Sequence, residues 1–181
     1  MNLPTKTIEY RGGVVSLEIP AHWKEEYEPK GGGTFYEDRP DSGTLRLNVL
    51  SFARRDGRSS EDTLRELIEK EPQETLGCGF PLKRYMKPGT ENGETLHLYR
   101  WEVSVPVPPN EWRIVCFVHT IVAGQESDPR IKCELDLIDE IVRSARFSTA
   151  RGVTGDYYRE ERKAQQGGTD NSGADLNRSA R

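Results

Sequence analysis

Cysteine is scarce and unpatterned: Cys78, Cys116 and Cys133 are the three in 181 residues, with no Cys-x-x-Cys pair. An odd set without that spacing excludes a disulfide framework and a cysteine zinc site, and it points to a reducing compartment. Long hydrophobic runs are also missing. The longest, Ile114 to Ala123, is interrupted by His119 and Thr120, well short of the roughly 20 apolar residues of a membrane span. The first ten residues lack an apolar h-region, so no signal peptide is expected. Charge of one sign is absent too. Lys and Arg number 26 against 30 Asp and Glu, a net charge of −4 with the signs interspersed. That argues against nucleic acid, which calls for a basic stripe, and against anionic membranes. The expected location is cytoplasmic, with no nucleic-acid partner and no membrane insertion.

What is present reads as one α+β domain over residues 1–150, with a polar tail over 151–181. A short strand at Thr7–Tyr10, a turn at Gly12-Gly13 and the alternation of Val15, Leu17 and Ile19 with Ser16 and Glu18 predict two paired strands. Thr34–Tyr36 follows a flexible turn at Gly31-Gly32-Gly33. In Thr44–Phe52, Leu45, Leu47 and Val49 face one way and Thr44, Arg46 and Asn48 the other, so one side of that strand is wet or polar in function. Ser59 or Ser60 caps a helix running to about Glu71, with Leu64, Leu67 and Ile68 as its apolar stripe and Glu61–Arg65 and Glu66–Lys70 as i,i+4 pairs. A three-strand meander follows: Leu82–Lys87, Thr95–Val105 and Trp112–Ala123. Asn92-Gly93 marks a tight hairpin between the first two. The third is apolar on both faces and so is expected at the centre of the sheet.

Asp128-Pro129 opens the last helix, whose stripe is Ile131, Leu135, Ile138, Ile141, Val142 and Ala145. Past Ala150 a short polar helix at 156–166 is expected. From Gly167 on, a composition of Gly, Ser, Asn and Asp cannot bury enough surface to offset its ordering entropy, so disorder is expected there, and removing the tail should leave folding intact. The element order gives an antiparallel sheet of about six strands flanked by two main helices.

The entry Val15-x-Leu17-x-Ile19-Pro20-x-x-Trp23, the glycine-led strand Gly43-Thr-Leu45-Arg-Leu47 and the final helix running into Ser144-Ala145-Arg146-Phe147 resemble Mog1/PsbP-like domains over about residues 7 to 148. The resemblance implies an α/β/α sandwich and a binding protein rather than an enzyme. The family shares no catalytic motif, so no functional residue carries over.

Chemistry-bearing residues read blandly. Cys116 and His119 are three apart on one strand and point to opposite faces. Cys78, between Gly77 and Gly79, reads as a turn residue. The glycine run at 31–33 is followed by a strand, where a phosphate loop needs a helix. Asp136, Asp139 and Glu140 read as a solvated helix face. No catalytic, cofactor-binding or metal-binding residues are assigned, and no cofactor is expected. The feature that points to function is aromatic. Should one sheet face lie uncovered, Trp101 and Trp112 beside Arg46 and Arg100 would form an interaction surface. The expected function is therefore a non-enzymatic protein-binding factor of chaperone, immunity or adaptor type. The alternatives are a small enzyme or ligand-binding domain with a site assembled from distant residues, such as Cys78 with a histidine, or a self-associating structural subunit.

Overall fold

The structure, a computed structural model, describes residues 4–29, 31–53, 56–70 and 74–151. The expected helix at 156–166 and the disorder beyond it lie outside the described residues.

Among the described residues, ten strands and two helices form in the order β1 Thr5–Tyr10, β2 Val15–Pro20, β3 Lys24–Tyr27, β4 Gly33–Tyr36, β5 Thr44–Ala53, α1 Ser60–Lys70, β6 Glu74–Thr75, β7 Pro81–Glu91, β8 Glu94–Val107, β9 Glu111–Val122, α2 Pro129–Ser144 and β10 Arg146–Phe147. They make two sheets, β1-β2-β10 and β3-β4-β5-β9-β8-β7-β6, antiparallel throughout. The α+β class is as expected, and the sheet is larger than the expected six strands. The strands that periodicity missed are β3, β6 and β10. The Lys-Glu-Glu-Tyr sequence of β3 is exposed throughout on the sheet edge, where charge blunts further pairing. It therefore shows no alternation to read. The other two are two-residue pairings closed by tertiary contact.

β9 occupies the centre of the large sheet, as its two apolar faces predicted. Its odd-numbered residues, Val115, Phe117 and Ile121 among them, are buried. They line up with Leu45, Leu47 and Val49 of β5 and with Trp101 and Val103 of β8. The small sheet adds Ile8, Tyr10, Val15, Leu17 and Ile19 to the same core, and α2 adds Ile138, Ile141 and Val142. Burying each such side chain contributes about 1.5–3 kcal/mol against the entropy of ordering it. The Asn92-Gly93 turn, both residues at positive φ, sets Glu91 opposite Glu94 and so the whole β7–β8 register.

The helices start where capping chemistry places them. Ser59 Oγ accepts the Asp62 N–H at 3.1 Å, and Asp128 accepts the Arg130 N–H at 2.8 Å with Pro129 at the first helical position. The stripe expected on α1 needs correction. Ser60 and Thr63 are its buried residues, and Ile68 is 46% exposed. The cause is local: the Ser60 N–H donates to the Pro109 carbonyl at 3.0 Å, which turns that face against the β8–β9 connection. Lys70–Glu66 pairs as expected, at 2.7 Å, whereas Arg65 pairs with Asp62. On α2 the acidic face is not simply solvated. Asp139 accepts the Trp101 Nε1–H at 2.8 Å and bonds Arg84 and Arg143.

Removing the indole donor while keeping the ring should therefore cost more than removing an exposed ion-pair partner. Trp101→Phe is expected to lower stability by about 2 kcal/mol, and Arg84→Ala by under about 1 kcal/mol, both measured by urea denaturation at pH 7.

Candidate functional site

Strand parity sorts the large sheet's side chains onto two faces. The odd positions of β8 and β9 meet α2 and the small sheet. The even positions look the other way, and α1 packs against β8 and β9, with the Ser60 N–H on the Pro109 carbonyl. On this open face one cross-strand row runs Thr34, Arg46, Val118, Arg100, Tyr85. Arg46 and Arg100 thus flank the same β9 residue. The Tyr85 ring lies within 5.2–5.7 Å of the Lys83, Lys87 and Arg100 cations, and its hydroxyl donates to Glu102 Oε1 at 2.5 Å. Burial and that carboxylate push the Tyr85 phenol up to about 12, so it stays protonated. Cys116 is buried in the neighbouring row, opposite Glu102. Burial pushes its thiol up, away from the thiolate that nucleophilic chemistry needs.

Of the four residues expected to form a surface, Arg46 and Arg100 come together. Trp112 shares their face but sits six residues along β9 from Val118, about 20 Å away at strand rise, stacked on Phe52 at 5.1 Å. Trp101 does not belong to the surface. It lies on the opposite face, 2% exposed and bonded to α2, because its odd position shares the face of Val103 and Val105. The expectation missed Tyr85, Lys83 and Lys87. The hairpin turn carried the signal, since a two-residue Asn-Gly loop dictates that Tyr85 opposes Arg100.

A second region is a cleft of about 550 Å³ under the first turns of α2, lined by Pro20, His22, Trp23, Glu37, Arg39, Pro129, Arg130, Cys133, Glu134 and Leu137. Glu134 is buried, 6% exposed, and its Oε2 lies 3.7 Å from Nε2 of His119, which is fully buried. The Gly43 N–H reaches the same carboxylate oxygen at 3.4 Å. Gly43 lies so close to the imidazole that a Cβ there would stand 2.1 Å from Cε1. Neither His119 ring nitrogen completes a hydrogen bond. Burial pushes His119 down to about 4, with the nearby Thr44 backbone offsetting part of this. Burial pushes Glu134 up, against the Gly43 N–H and Arg39. Sequence reasoning missed this pair, although each residue breaks a pattern. Glu134 falls within the buried stripe of α2, and His119 takes a core-facing position between Phe117 and Ile121.

The remaining candidates stay apart. Cys116 and His119 point to opposite faces, His97 pairs with Glu126, and His22 lies 3.7 Å from Glu37. Cys78 is exposed in a turn closed by Gly79 N–H to Leu76 O at 2.8 Å. Among the described residues no group of three or more His, Cys, Asp or Glu side chains is placed to hold a metal ion, and no helix is long and apolar enough to cross a membrane.

The buried pair makes two predictions. The folded protein binds the His119 proton less readily than the unfolded chain. This contribution to stability is therefore full above about pH 6.5 and falls as pH drops toward 4. Glu134 acts with the opposite sign, its contribution fading as pH rises through its elevated folded value. From pH 7 to 4.5 the native protein should lose about 2–3 kcal/mol more than His119→Phe, as denaturant midpoints at each pH would show. Gly43→Ala should cost at least about 2 kcal/mol by overpacking the ring, and far less in a His119→Ala background.

No family model matches this chain, and no curated protein matches it. Solved structures do. A protein from Bacteroides thetaiotaomicron VPI-5482 superposes with a TM-score of 0.52 at 17% identity, over 79% of this chain and 48% of its own. This chain therefore spans about half the length of that structure. LpqN of Mycobacterium tuberculosis, described as involved in cell envelope biogenesis, superposes with a TM-score of 0.52 at 13% identity, over 80% of this chain and 91% of its own. At such identities the likeness is one of fold.

Proposed function

We propose that this chain is a non-enzymatic protein-binding factor of chaperone, immunity or adaptor type, and that it engages its partner through the open face of the seven-stranded sheet. The observation that carries this reading is the composition of that face. Leu50, Phe52 and Val122 are 51%, 39% and 39% exposed, and Trp112 is stacked on Phe52 at one end. Exposed apolar side chains grouped on one face mark interaction sites, and aromatics with arginine are the commonest hot spots. Toward the middle, Arg46, Lys83, Lys87 and Arg100 gather near Tyr85, with Glu102 paired to Arg100 at 3.5 Å and Glu26 at the β3 end of the row. The occupant that fits is a partner protein presenting an acidic segment with interspersed apolar side chains, since charge complementarity selects and orients it.

The finer architecture, an α/β/α sandwich of the Mog1/PsbP-like kind, belongs to the same proposal. An antiparallel sheet with two helices supports it, as do the three motifs that carry the resemblance. A cytoplasmic setting is proposed from the three free cysteines. Cell envelope biogenesis is said of LpqN and supplies no location for this chain.

The test is affinity capture from the native host with three baits: the native chain, an Arg46→Glu/Arg100→Glu/Trp112→Ala variant, and a Lys132→Glu control on exposed α2. A partner held by the native and control baits but bound about 30-fold more weakly by the face variant is the expected result. Partners retained equally by all three would overturn the proposal.

A further inference from the structure

The cleft under α2 has an unsolved electrostatic problem. Replacing a buried polar pair by apolar residues of similar volume is often neutral or stabilising, and a core keeps such a pair when it does something else. Here the pair is His119 and Glu134, and Gly43 is the residue that makes room for the imidazole. Glu134 is the buried one among the cleft's acids, at 6% exposure, and its nearest polar neighbours are a long 3.4 Å backbone contact and an imidazole 3.7 Å away. Of the cations at the mouth, Arg39 pairs with Glu37 at 2.9 Å and reaches Glu134 only through its field, and Arg130 pairs with Asp128 at 2.8 Å. His119 is held neutral by burial and supplies no counter-charge. The helix N-terminus does not invite an anion either, because Asp128 already caps it. The walls, Pro20, Trp23, Pro129 and Leu137, are apolar. The volume falls within the span of about 300–1,000 Å³ usual for small-molecule sites.

We propose that this cleft binds a small organic amine, its apolar body against Trp23 and Leu137 and its protonated nitrogen against the Glu134 carboxylate. The site is separate from the open sheet face, and each stands or falls without the other. An ammonium head supplies a counter-charge at hydrogen-bond distance, where Glu134 has one long backbone donor, the Gly43 N–H. An apolar body fills space that a hydrated metal ion or free ammonium would leave unused. Glu134 lies behind the mouth charges, so recognition favours a ligand long enough to place its nitrogen past Arg39.

Three probes of matched shape and different charge test this on the full chain at pH 7: 2-phenylethylamine, phenylacetate and 2-phenylethanol, titrated by calorimetry and amide NMR. Saturable binding of the amine is expected, with shifts at the Gly43 amide and the Trp23 indole. The acid and the alcohol should bind at least tenfold more weakly, and Glu134→Gln should weaken the amine at least tenfold. Equal binding of all three, absence of saturable amine binding, or undiminished binding by a folded Glu134→Gln variant would overturn the proposal. A second measurement holds even if that variant fails to fold. In a Cys78→Ser background the amine should slow alkylation of the exposed, cleft-lining Cys133 by iodoacetamide, and an unchanged rate would equally overturn it.

Discussion

The structure depends on one central strand being paired along both of its edges. β9 is hydrogen-bonded along ten positions to β5 and along twelve to β8. Its core-facing side chains meet α2 and the small sheet. Its outward ones give the opposite face an apolar spine of Ile114, Val118 and Val122. A one-residue slip would exchange the two sets, sending Phe117 out and Cys116 in. Everything functional about the molecule is hung on that register: which arginines meet, which tryptophan is hidden, and which histidine enters the core.

The two faces are held to different standards. On the covered face nearly every group is buried and apolar, and the polar exceptions sit beside the cleft or are tied down. Arg113 is one of the latter, 2% exposed. Its guanidinium donates to the Ser148 and Ala150 carbonyls, at 2.8 Å each, tying the segment after β10 to β9. On the open face cations, aromatics and aliphatics are mixed, a composition that water tolerates and a partner can use. The stacked Phe52–Trp112 pair lies at one end and the cation-ringed Tyr85 toward the middle, and side chains already held by neighbours lose little entropy on binding.

The cleft follows from the same economy. Replacing a buried polar pair such as His119 and Glu134 with apolar residues is often neutral or stabilising. Their opposite pKa displacements share one cause, withdrawal from water. A carboxyl behind apolar walls, its ionised form disfavoured by burial, gains most from an arriving cation, and such placement is how binding sites obtain selectivity from few polar groups.

Much of this was legible in the chain. Alternation located the long strands, and two apolar faces placed β9 at the centre. Ser59, Asp128 and Pro129 marked both helix starts, and Asn92-Gly93 set a register from which the Tyr85–Arg100 pairing follows. These are local signals, each carried by a period or a turn within a few residues. The remainder was not local. The edge strand β3 has no buried side to betray it, and β6 and β10 exist only because distant strands arrive beside them. Likewise, Trp101 and Trp112 look alike in sequence. Only the arrival of α2 over the odd-numbered face buries one against Asp139 and leaves the other at the surface. His119 comes from β9, Gly43 from the residue before β5 and Glu134 from α2, with contacting partners up to 91 positions apart. Their meeting was decided by packing, because no short-range preference acts across that distance.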